Sequence, residues 1–233
     1  MRDVHRHYRM GDSVVRALDG VTFEIERGSY WAIMGPSGSG KSTLLNLLGC
    51  LDRPTAGAYL LGGEDVSRLT DDQLSEERSV KLGFVFQSFQ LIQQLSVLEN
   101  VEVPLFYQGV APALSKVRAK EALQRVGLGD RLDHRPNELS GGQQQRAAVA
   151  RALVNQPIVL LADEPTGNLD SKTAKEILDL FDQLHAQGST IILVTHDPGV
   201  ASRAEWVLRV LDGKVDRVDA GGRNRAGTTG ARA

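Results

Sequence analysis

The sequence predicts an α/β fold with a mixed sheet core, an antiparallel β subdomain and an inserted helical lobe. Three observations predict it. Apolar runs suited to a parallel sheet alternate with helical patterns, strand-like alternation occurs near the N-terminus, and a long stretch lacks strand signals. We expect one domain over 1–218, with its core at about 1–87 and 156–218, the lobe at about 88–155, and a disordered tail at 219–233.

The strands are predicted from the spacing of apolar residues. Val21, Phe23 and Ile25 alternate with polar residues, which indicates a half-buried antiparallel strand. The runs that indicate buried parallel strands are Tyr30–Met34, Leu82–Val85, Ile158–Ala162 and Thr190–Val194. Asp212-Gly213, between two further apolar segments, predicts a hairpin from 207 to 218.

The helices are predicted from apolar residues at intervals of three and four positions. One such face comprises Ala174, Ile177, Leu178, Phe181 and Leu184, and a second, inside the lobe, comprises Leu114, Val117, Leu123 and Val126. Thr70 and Gln73 have the spacing of a capping box and predict the start of a short acidic helix.

A glycine-rich turn follows the strand 30–34 and opens a helix. Its sequence, Gly35-Pro36-Ser37-Gly38-Ser39-Gly40-Lys41-Ser42, matches the phosphate-binding pattern G-x-x-x-x-G-K-[ST]. The backbone N–H groups of such a turn point at an anion, and the helix dipole adds favourable potential. Lys41 is expected to reach the β- and γ-phosphates, and the Ser42 hydroxyl to bind Mg²⁺. A Gly/Ser surface loop is the alternative, which the strand–turn–helix context disfavours.

Composition excludes several classes of protein. The 233 residues are 41% hydrophobic and 24% charged, which is typical of a globular protein. A net charge of −2 gives no reason to expect nucleic-acid binding. No apolar run approaches the roughly 20 residues of a membrane span, and the N-terminus is too polar for a secretory signal. The lone Cys50 makes a reducing cytosol the default compartment.

Further polar residues stand at the ends of predicted strands. Asp163 ends the strand 158–162 and is placed to hold the Mg²⁺ shell, while Glu164 is the candidate to polarise an attacking water. Gln87 is placed to touch Mg²⁺ or that water, with a surface glutamine as the alternative. His196 is placed to contact the γ-phosphate, and no metal-type His/Cys spacing accompanies it.

A second glycine-rich turn, Leu139-Ser140-Gly141-Gly142-Gln143, also precedes a helical pattern and has the character of another anion-binding helix start. One nucleotide does not usually bind to both glycine-rich turns of the same chain. Asn168-Leu169-Asp170 follows the carboxylates closely enough to bridge two subunits. Tyr8 is a candidate to stack on adenine, although a core or surface tyrosine explains it nearly as well.

These residues, in this order, resemble the nucleotide-binding subunit of ABC transporters from about Val4 to Val218. The resemblance implies ATP and Mg²⁺ as cofactors, and two subunits that face each other head to tail, each lending its second turn to the other's nucleotide. Family members usually have a few more residues before Val4, so a shortened first strand is expected.

The resemblance also implies a role for each site residue. The implied catalytic residues are Glu164, His196, Gln87 and Lys41, and the implied magnesium ligands are Ser42, Gln87 and Asp163. The implied nucleotide contacts are Tyr8, Gly35, Pro36, Ser37, Gly38, Ser39, Gly40, Lys41, Ser42, Thr43, Gln87 and Asp163, with Ser140, Gly141, Gly142, Gln143 and Asp170 contributed by the second subunit.

Segments 47–57, 83–92 and 98–105 further resemble the bacterial macrolide-export and lipoprotein-release group. That implies an ATP-dependent homodimer on the cytoplasmic face of the inner membrane, driving integral permease subunits in export, lipoprotein release or mechanotransmission. Phe89, Leu91, Ile92 and Leu95 are candidates for the permease contact or for lobe core. The alternatives are an uptake or cell-division cassette and a soluble ABC ATPase of DNA repair or translation.

Overall fold

The computed structural model describes residues 1–11 and 13–224. The chain divides into two compact units. The first comprises residues 1–77 together with those from 190 onwards, and the second comprises residues 78–189. The boundaries predicted for the core and the helical lobe stay a prediction.

The first unit contains most of the strands. Its elements are β1 Arg2–Met10, β2 Ser13–Val21, β3 Tyr30–Met34, α1 Lys41–Leu48, β4 Ala56–Ala58, β5 Leu60–Leu61 and β6 Glu64–Asp65, and then β9 Ile191–Val194, α7 Pro198–Ala201, β10 Trp206–Leu211 and β11 Lys214–Ala220. The second unit contains β7 Leu82–Phe86, α3 Val97–Tyr107, α4 Pro112–Arg125, a 3₁₀ turn at Pro136–Glu138, α5 Gly141–Leu153, β8 Val159–Asp163 and α6 Ser171–Ala186. Helix α2, Asp71–Lys81, includes the boundary, and the predicted Thr70–Gln73 capping box forms at its start.

A mixed sheet forms the core of the first unit. Strand β3 pairs in parallel with β9 on one side and with β10 on the other, and β11 adds to β10 in the antiparallel sense. Every residue of β3 and of β9 is buried, as expected for continuous apolar runs in a sheet covered on both faces. The predicted hairpin is confirmed, because Asp212 and Gly213 both have positive φ, +48° and +75°, as a tight two-residue turn requires.

The antiparallel subdomain pairs β1 with β2 and with β4. The strand predicted through Val21, Phe23 and Ile25 is wrong in position, since β2 ends at Val21. Phe23 instead exchanges two backbone hydrogen bonds with Met1, at 3.2 and 2.8 Å, and no ladder continues from them. The alternation of apolar residues therefore marks a single paired residue rather than a strand.

In the second unit, β7 and β8 are parallel neighbours, and no strand lies among residues 88–155, all of which are described. The face predicted for α6 is buried at Ile177, Leu178, Phe181 and Leu184. The predicted face of α4 is partly wrong. Leu123 and Val126 are buried, but Leu114 and Val117 are about half exposed, at 46% and 51%.

The buried face of α4 carries small residues where larger ones were expected. Ser115, Ala119 and Ala122 lie toward the neighbouring helices, with α4 packed against α3 and α5. Small side chains allow helix axes to approach closely, so the side that packs is decided by fit as well as by hydrophobicity. Of the apolar residues placed after Gln87, Leu91 is buried and Ile92 is 43% exposed.

The end of the chain is ordered further than predicted. Strand β11 runs to Ala220, and Gly221, Arg223 and Asn224 make hydrogen bonds to residues 203–205. The rest of the predicted tail, 225–233, lies outside the described residues. Across the described part of the chain, none of the helices combines the length and apolar character that crossing a membrane would take. Cys50 is buried in the first unit.

Candidate active site

The turn that follows β3 lies against neighbouring backbone so tightly that two of its positions admit only glycine. A Cβ atom at Gly35 would lie 2.2 Å from the carbonyl oxygen of Val210, and one at Gly40 would lie 2.5 Å from that of Ala17. Gly40 also has φ of +102° as it opens α1. The turn is therefore held in one shape, with the first N–H groups of α1 lacking intrahelical acceptors, as at any helix start.

Lys41 reaches back over this turn. Its Nζ atom donates hydrogen bonds to the carbonyl oxygens of Gly35 and Pro36, both at 2.7 Å. Ser42 is exposed in the first turn of α1, while Ser39 is 2% exposed. Among the described residues, the buried Ser39 hydroxyl has no hydrogen-bond partner. A positive charge, free N–H groups and a buried hydroxyl in one turn suit a phosphate chain.

The structure brings His196 to the same edge of the sheet as this turn. Strand β9 runs parallel to β3 with Val194 opposite Ile33, and the N–H of Thr195 donates to the Ile33 carbonyl at 3.1 Å. Because parallel strands end at one edge, the residues that follow them lie side by side. His196 is exposed there, immediately before Asp197, which caps the short helix α7.

Tyr8 lies on β1 and is half-buried. Its hydroxyl donates to Asp52 at 2.8 Å, and the guanidinium of Arg6, itself bonded to Asp52, covers one face of its ring at 4.5 Å from the centroid. These contacts fix the orientation of the ring. The sequence did not indicate Asp52 as a partner, since 44 residues separate it from Tyr8.

In the second unit, the carboxylates stand at the edge where β7 and β8 end. Phe86 and Asp163, the last residues of β7 and β8, are opposite each other in the parallel register. The residues that come next, Gln87 and Glu164, therefore leave the sheet side by side. Glu164 has φ of +44°, a conformation that non-glycine residues adopt rarely and at some cost. The Gly167 N–H closes the turn on the Glu164 carbonyl at 3.0 Å. Backbone strain of this kind concentrates at functional sites, which supports Glu164 as a candidate catalytic residue.

Gln87 and Asn168 are joined by two hydrogen bonds. The Gln87 amide donates to Asn168 Oδ1 at 3.0 Å, and Asn168 Nδ2 donates to the Gln87 carbonyl at 3.1 Å. A Cβ atom at Gly167 would lie 2.6 Å from Gln87 Nε2, so only glycine allows this approach. The sequence predicted a role for each of the two polar residues and did not predict that they bind each other.

Gln145 is a residue that sequence reasoning missed. It lies on α5, is fully buried, and its Nε2 atom donates to the carbonyl oxygens of Pro165 at 2.5 Å and Phe86 at 3.3 Å. It therefore ties the helix that follows the second glycine-rich turn to both strand ends. Its position in a run of three glutamines carries no signal that distinguishes it from its neighbours.

The second glycine-rich turn forms a capped helix start. Ser140 is the N-cap of α5; its Oγ accepts from the Gln143 N–H at 3.3 Å, and Gln143 Oε1 accepts from the Ser140 N–H at 2.9 Å. A Cβ atom at Gly142 would lie 2.3 Å from Thr173 Cγ2, so this glycine permits α5 to pack on α6. Ser140 is exposed, and a hydroxyl whose oxygen accepts the capping hydrogen bond can still donate its proton to another group.

Asp170 has a local structural role. It is the N-cap of α6 and accepts hydrogen bonds from the N–H groups of Lys172 and Thr173, and from the Thr173 hydroxyl at 2.5 Å. The hydrogen bonds from Thr173 lower the pKa of the Asp170 carboxyl below its usual value. Its predicted contact with a second subunit's nucleotide stays a prediction.

The predicted residues are shared between the two units. Tyr8, the turn at 35–43 and His196 belong to the first unit, and Gln87, the turn at 139–143, Asp163, Glu164 and Asp170 belong to the second. The predicted magnesium ligands divide in the same way, with Ser42 in one unit and Gln87 and Asp163 in the other.

Residues 18–167 match the family described as ABC transporter, which is well over half of the chain. The protein belongs to the ABC transporter family. An ABC transporter ATP-binding protein of Thermotoga maritima is 55% identical to this cassette over 93% of both chains. YknY of Bacillus subtilis, described in the same way, is 49% identical over 96% of this chain and 97% of its own.

A macrolide export ATP-binding/permease protein, MacB of Hyphomonas neptunium, is 54% identical over 92% of this cassette. The cassette spans about a third of that relative, 33% of its length. Among solved structures, a dimeric post-hydrolysis state of the ATP-binding cassette MJ0796, bound to ADP and Pi, superimposes with a TM-score of 0.85. It is 45% identical over 94% of this chain and 97% of its own. These likenesses confirm the predicted α/β fold, a mixed sheet core with a phosphate-binding turn, as that of the P-loop NTPases, and they identify the ABC cassette as an ATP-binding ATPase.

Proposed function

We propose that two copies of this ABC transporter cassette close around two ATP molecules and open again after hydrolysis. The observation that carries the proposal is that the chain builds two separate helix starts suited to anions, at Lys41 and at Ser140. One nucleotide per chain needs only the first of them. The second is capped by an exposed serine, Ser140, and is available to donate to the γ-phosphate held by a sister molecule. The dimeric cassette structures that this chain resembles support this arrangement.

In the proposed complex, the turn at 35–43 binds the phosphates of ATP through its backbone N–H groups and through Lys41. The Lys41 ammonium, which already lies over the turn at 2.7 Å from two carbonyl oxygens, moves a short way to the β- and γ-phosphates. Ser140 and Gly142 of the second copy contact the γ-phosphate from its other side, with Gly141, Gln143 and Asp170 beside them. Charges held between two surfaces that exclude water interact strongly, so ATP favours the closed dimer.

The oxygen donors of Ser42, Gln87 and Asp163 fit Mg²⁺, which prefers hydroxyl, amide and carboxylate ligands. Bound there, the ion would neutralise charge on the phosphates. Glu164, held at a strained turn beside Asp163, orients and polarises the attacking water. His196, exposed at the edge beside the phosphate-binding turn, donates to the γ-phosphate and steadies the charge that develops on it.

For the wider role, we propose that the cassette drives integral permease subunits from the cytoplasmic face of a bacterial inner membrane. The MacB relatives, named as combined ATP-binding and permease proteins, support a permease partner and favour export, lipoprotein release or mechanotransmission. Partly exposed apolar residues after Gln87, Ile92 above all, supply surface for that contact. An uptake or cell-division cassette remains the second candidate, and co-purification with membrane proteins separates both from a soluble ATPase that binds ribosomes or DNA.

The dimer is tested with Glu164→Gln, measured by light scattering after size-exclusion chromatography with excess Mg-ATP. We expect a stable dimer with ATP, a monomer without it, and a loss of ATP turnover of at least about a hundredfold. The control is Glu164→Gln combined with Lys41→Ala, which removes the phosphate contact and should stay monomeric. A monomeric Glu164→Gln variant in excess ATP, or one with normal turnover, contradicts the role assigned to Glu164.

A further inference from the structure

A second cluster of ligating side chains lies in the antiparallel subdomain, on strands β1 and β2. His5 and His7 are two positions apart on β1, so their side chains lie on the same face of the strand pair. Asp19 on β2 is the direct cross-strand partner of His5 and the diagonal neighbour of His7. The nucleotide chemistry described above uses none of the three.

The ligand atoms of this cluster converge on one small volume. Asp19 Oδ1 lies 3.0 Å from His5 Nδ1 and 3.6 Å from His7 Nε2, and one ligand atom from each of the three residues lies within 4.8 Å of the other two. Zinc binds histidine nitrogen and carboxylate oxygen at about 2.0–2.1 Å, so two ligands of a tetrahedral site stand roughly 3.3 Å apart. Both of the distances to Asp19 are within a few tenths of an ångström of that spacing.

His7 provides an independent observation. Among the residues that the structure describes, no hydrogen-bond partner reaches the buried Nε2 atom of His7. A buried polar atom without a partner is costly, and a ligand that accepts its lone pair removes that cost. The atom lies 3.6 Å from the same carboxylate oxygen that His5 contacts, and an ion bound by all three residues would lie between these atoms.

We propose that His5, His7 and Asp19 bind one borderline divalent transition-metal ion, of which Zn²⁺ is the representative. Two imidazoles and one carboxylate suit zinc and its neighbours, whereas Mg²⁺ and Ca²⁺ prefer ligand sets made of oxygen alone. Water completes the coordination. The Asp3 carboxylate, whose Oδ1 lies 3.2 Å from His5 Nε2, can accept a hydrogen bond from the ring nitrogen that the ion does not use.

Two cations face the opposite side of the Asp19 carboxylate. Lys214 Nζ and Arg16 Nη1 lie 3.8 and 3.9 Å from Asp19 Oδ2, and the two side chains are 63% and 68% exposed. They are on the oxygen that the ion does not use, and their exposure lets them move away from an added positive charge at little cost. The two cations therefore lower the affinity for the metal ion but do not block the site.

Two backbone hydrogen bonds connect this site to the phosphate-binding turn. The Asp19 N–H donates to the Gly213 carbonyl at 2.8 Å, and the Gly213 N–H donates to the Ser39 carbonyl at 2.9 Å. Tyr8 follows His7 directly on β1. An ion at this site cross-links the two strands that support these residues, so it stabilises the folded subdomain.

The test uses tag-free, full-length protein, freed of metal and nucleotide and titrated with Zn²⁺ alone by isothermal calorimetry. We expect one site of micromolar affinity, and a rise in Tm of roughly 5 °C at a Zn²⁺ concentration far above Kd. His5→Gln, His7→Gln and Asp19→Asn should each weaken binding at least tenfold. His134→Gln, which removes an imidazole elsewhere in the chain, is the matched control and should leave binding unchanged.

Co²⁺ titration gives a second readout, because a site of low coordination number produces strong visible absorption that the histidine variants should lose. Far-UV circular dichroism establishes whether each variant is folded. If Asp19→Asn does not fold, either histidine variant alone tests the proposal. The proposal is overturned if wild-type protein binds no Zn²⁺ below millimolar concentration. It is equally overturned if folded His5→Gln and His7→Gln bind Zn²⁺ as tightly as wild type.

Discussion

Gln87 and Asn168 exchange two hydrogen bonds across 81 residues of chain, and each supplies both a donor and an acceptor. This pair holds the residue that follows β7 against the segment that follows the Glu164 turn. Both side chains are exposed, so the pair is open to rearrangement when ligands or a second subunit approach. Any change that moves one of these side chains must move the other or break the pair.

We predict that Gln87→Ala and Asn168→Ala are not additive in ATPase activity. Asn168→Ala removes both hydrogen bonds, and Gln87→Ala removes the bond between the two side chains, so the loss of that shared bond is counted only once in the double variant. The double variant should therefore lose less kcat than the product of the two single losses predicts. A net contribution of about 1 kcal/mol corresponds to roughly fivefold in rate. Steady-state ATPase assays measure it, with Gln94→Ala, an exposed glutamine nearby, as the control. Independent, multiplying effects of the two substitutions would contradict a coupled pair.

A second prediction concerns Gly35. Gly35→Ala places a methyl group 2.2 Å from the Val210 carbonyl oxygen, which forces the phosphate-binding turn out of position. We expect ATP affinity to fall at least about tenfold, or roughly 1.4 kcal/mol. Titration with a fluorescent ATP analogue measures the change. The control is Gly63→Ala in the same unit, where the added Cβ meets open space despite a φ of +89°. Wild-type affinity in Gly35→Ala would show that the turn tolerates the displacement.

The role of Tyr8 is tested by comparing its phenylalanine and alanine variants. If Tyr8 stacks on adenine, Tyr8→Phe keeps most of the ATP affinity and Tyr8→Ala loses about 1–3 kcal/mol, the usual worth of base–aromatic stacking. The same fluorescent titration measures both variants. A base-free triphosphate serves as the comparison ligand, since its affinity should not depend on the Tyr8 ring. Equal ATP affinity in Tyr8→Ala and wild type would favour a structural tyrosine held by Asp52 and Arg6.

A fourth prediction concerns pH and Asp170. Hydrogen bonds from Thr173 lower the pKa of this carboxyl in the folded state, so its ionised form stabilises folding. That stabilisation is fully present above the unfolded pKa of about 4 and is lost as the pH falls through the lower folded value. Urea unfolding between pH 3 and 7 should therefore show Asp170→Asn less stable than wild type at neutral pH, with the difference shrinking in acid. A difference that does not depend on pH would contradict the prediction.

Much of the fold and site was predictable because its signals are local. The strand at Tyr30–Met34, the turn that follows it, the hairpin at Asp212-Gly213 and the Thr70–Gln73 capping box each depend on residues within a few positions of one another. Backbone conformation and short-range hydrogen bonds decide such features before the chain packs. The same local spacing identified the glycine-rich turns and the carboxylates.

Where prediction failed, the deciding partner was distant in sequence. Phe23 looks like part of a strand, yet among the residues that the structure describes its backbone bonds to Met1, and β2 stops at Val21. Leu114 and Val117 have helical spacing, but α4 turns its small residues inward because close packing suits the neighbouring helices better.

The sequence by itself determined which residues are proposed to carry the chemistry: the Lys41 turn, the Ser140 turn, the strand-end carboxylates and His196. Only the tertiary structure decided how those residues are held. It joined Gln87 to Asn168, buried Gln145 against two strand ends, bonded the Tyr8 hydroxyl to Asp52, and gathered His5, His7 and Asp19. The physical reason is that hydrogen bonding and steric fit between distant segments depend on sheet register and helix packing, which no local pattern specifies.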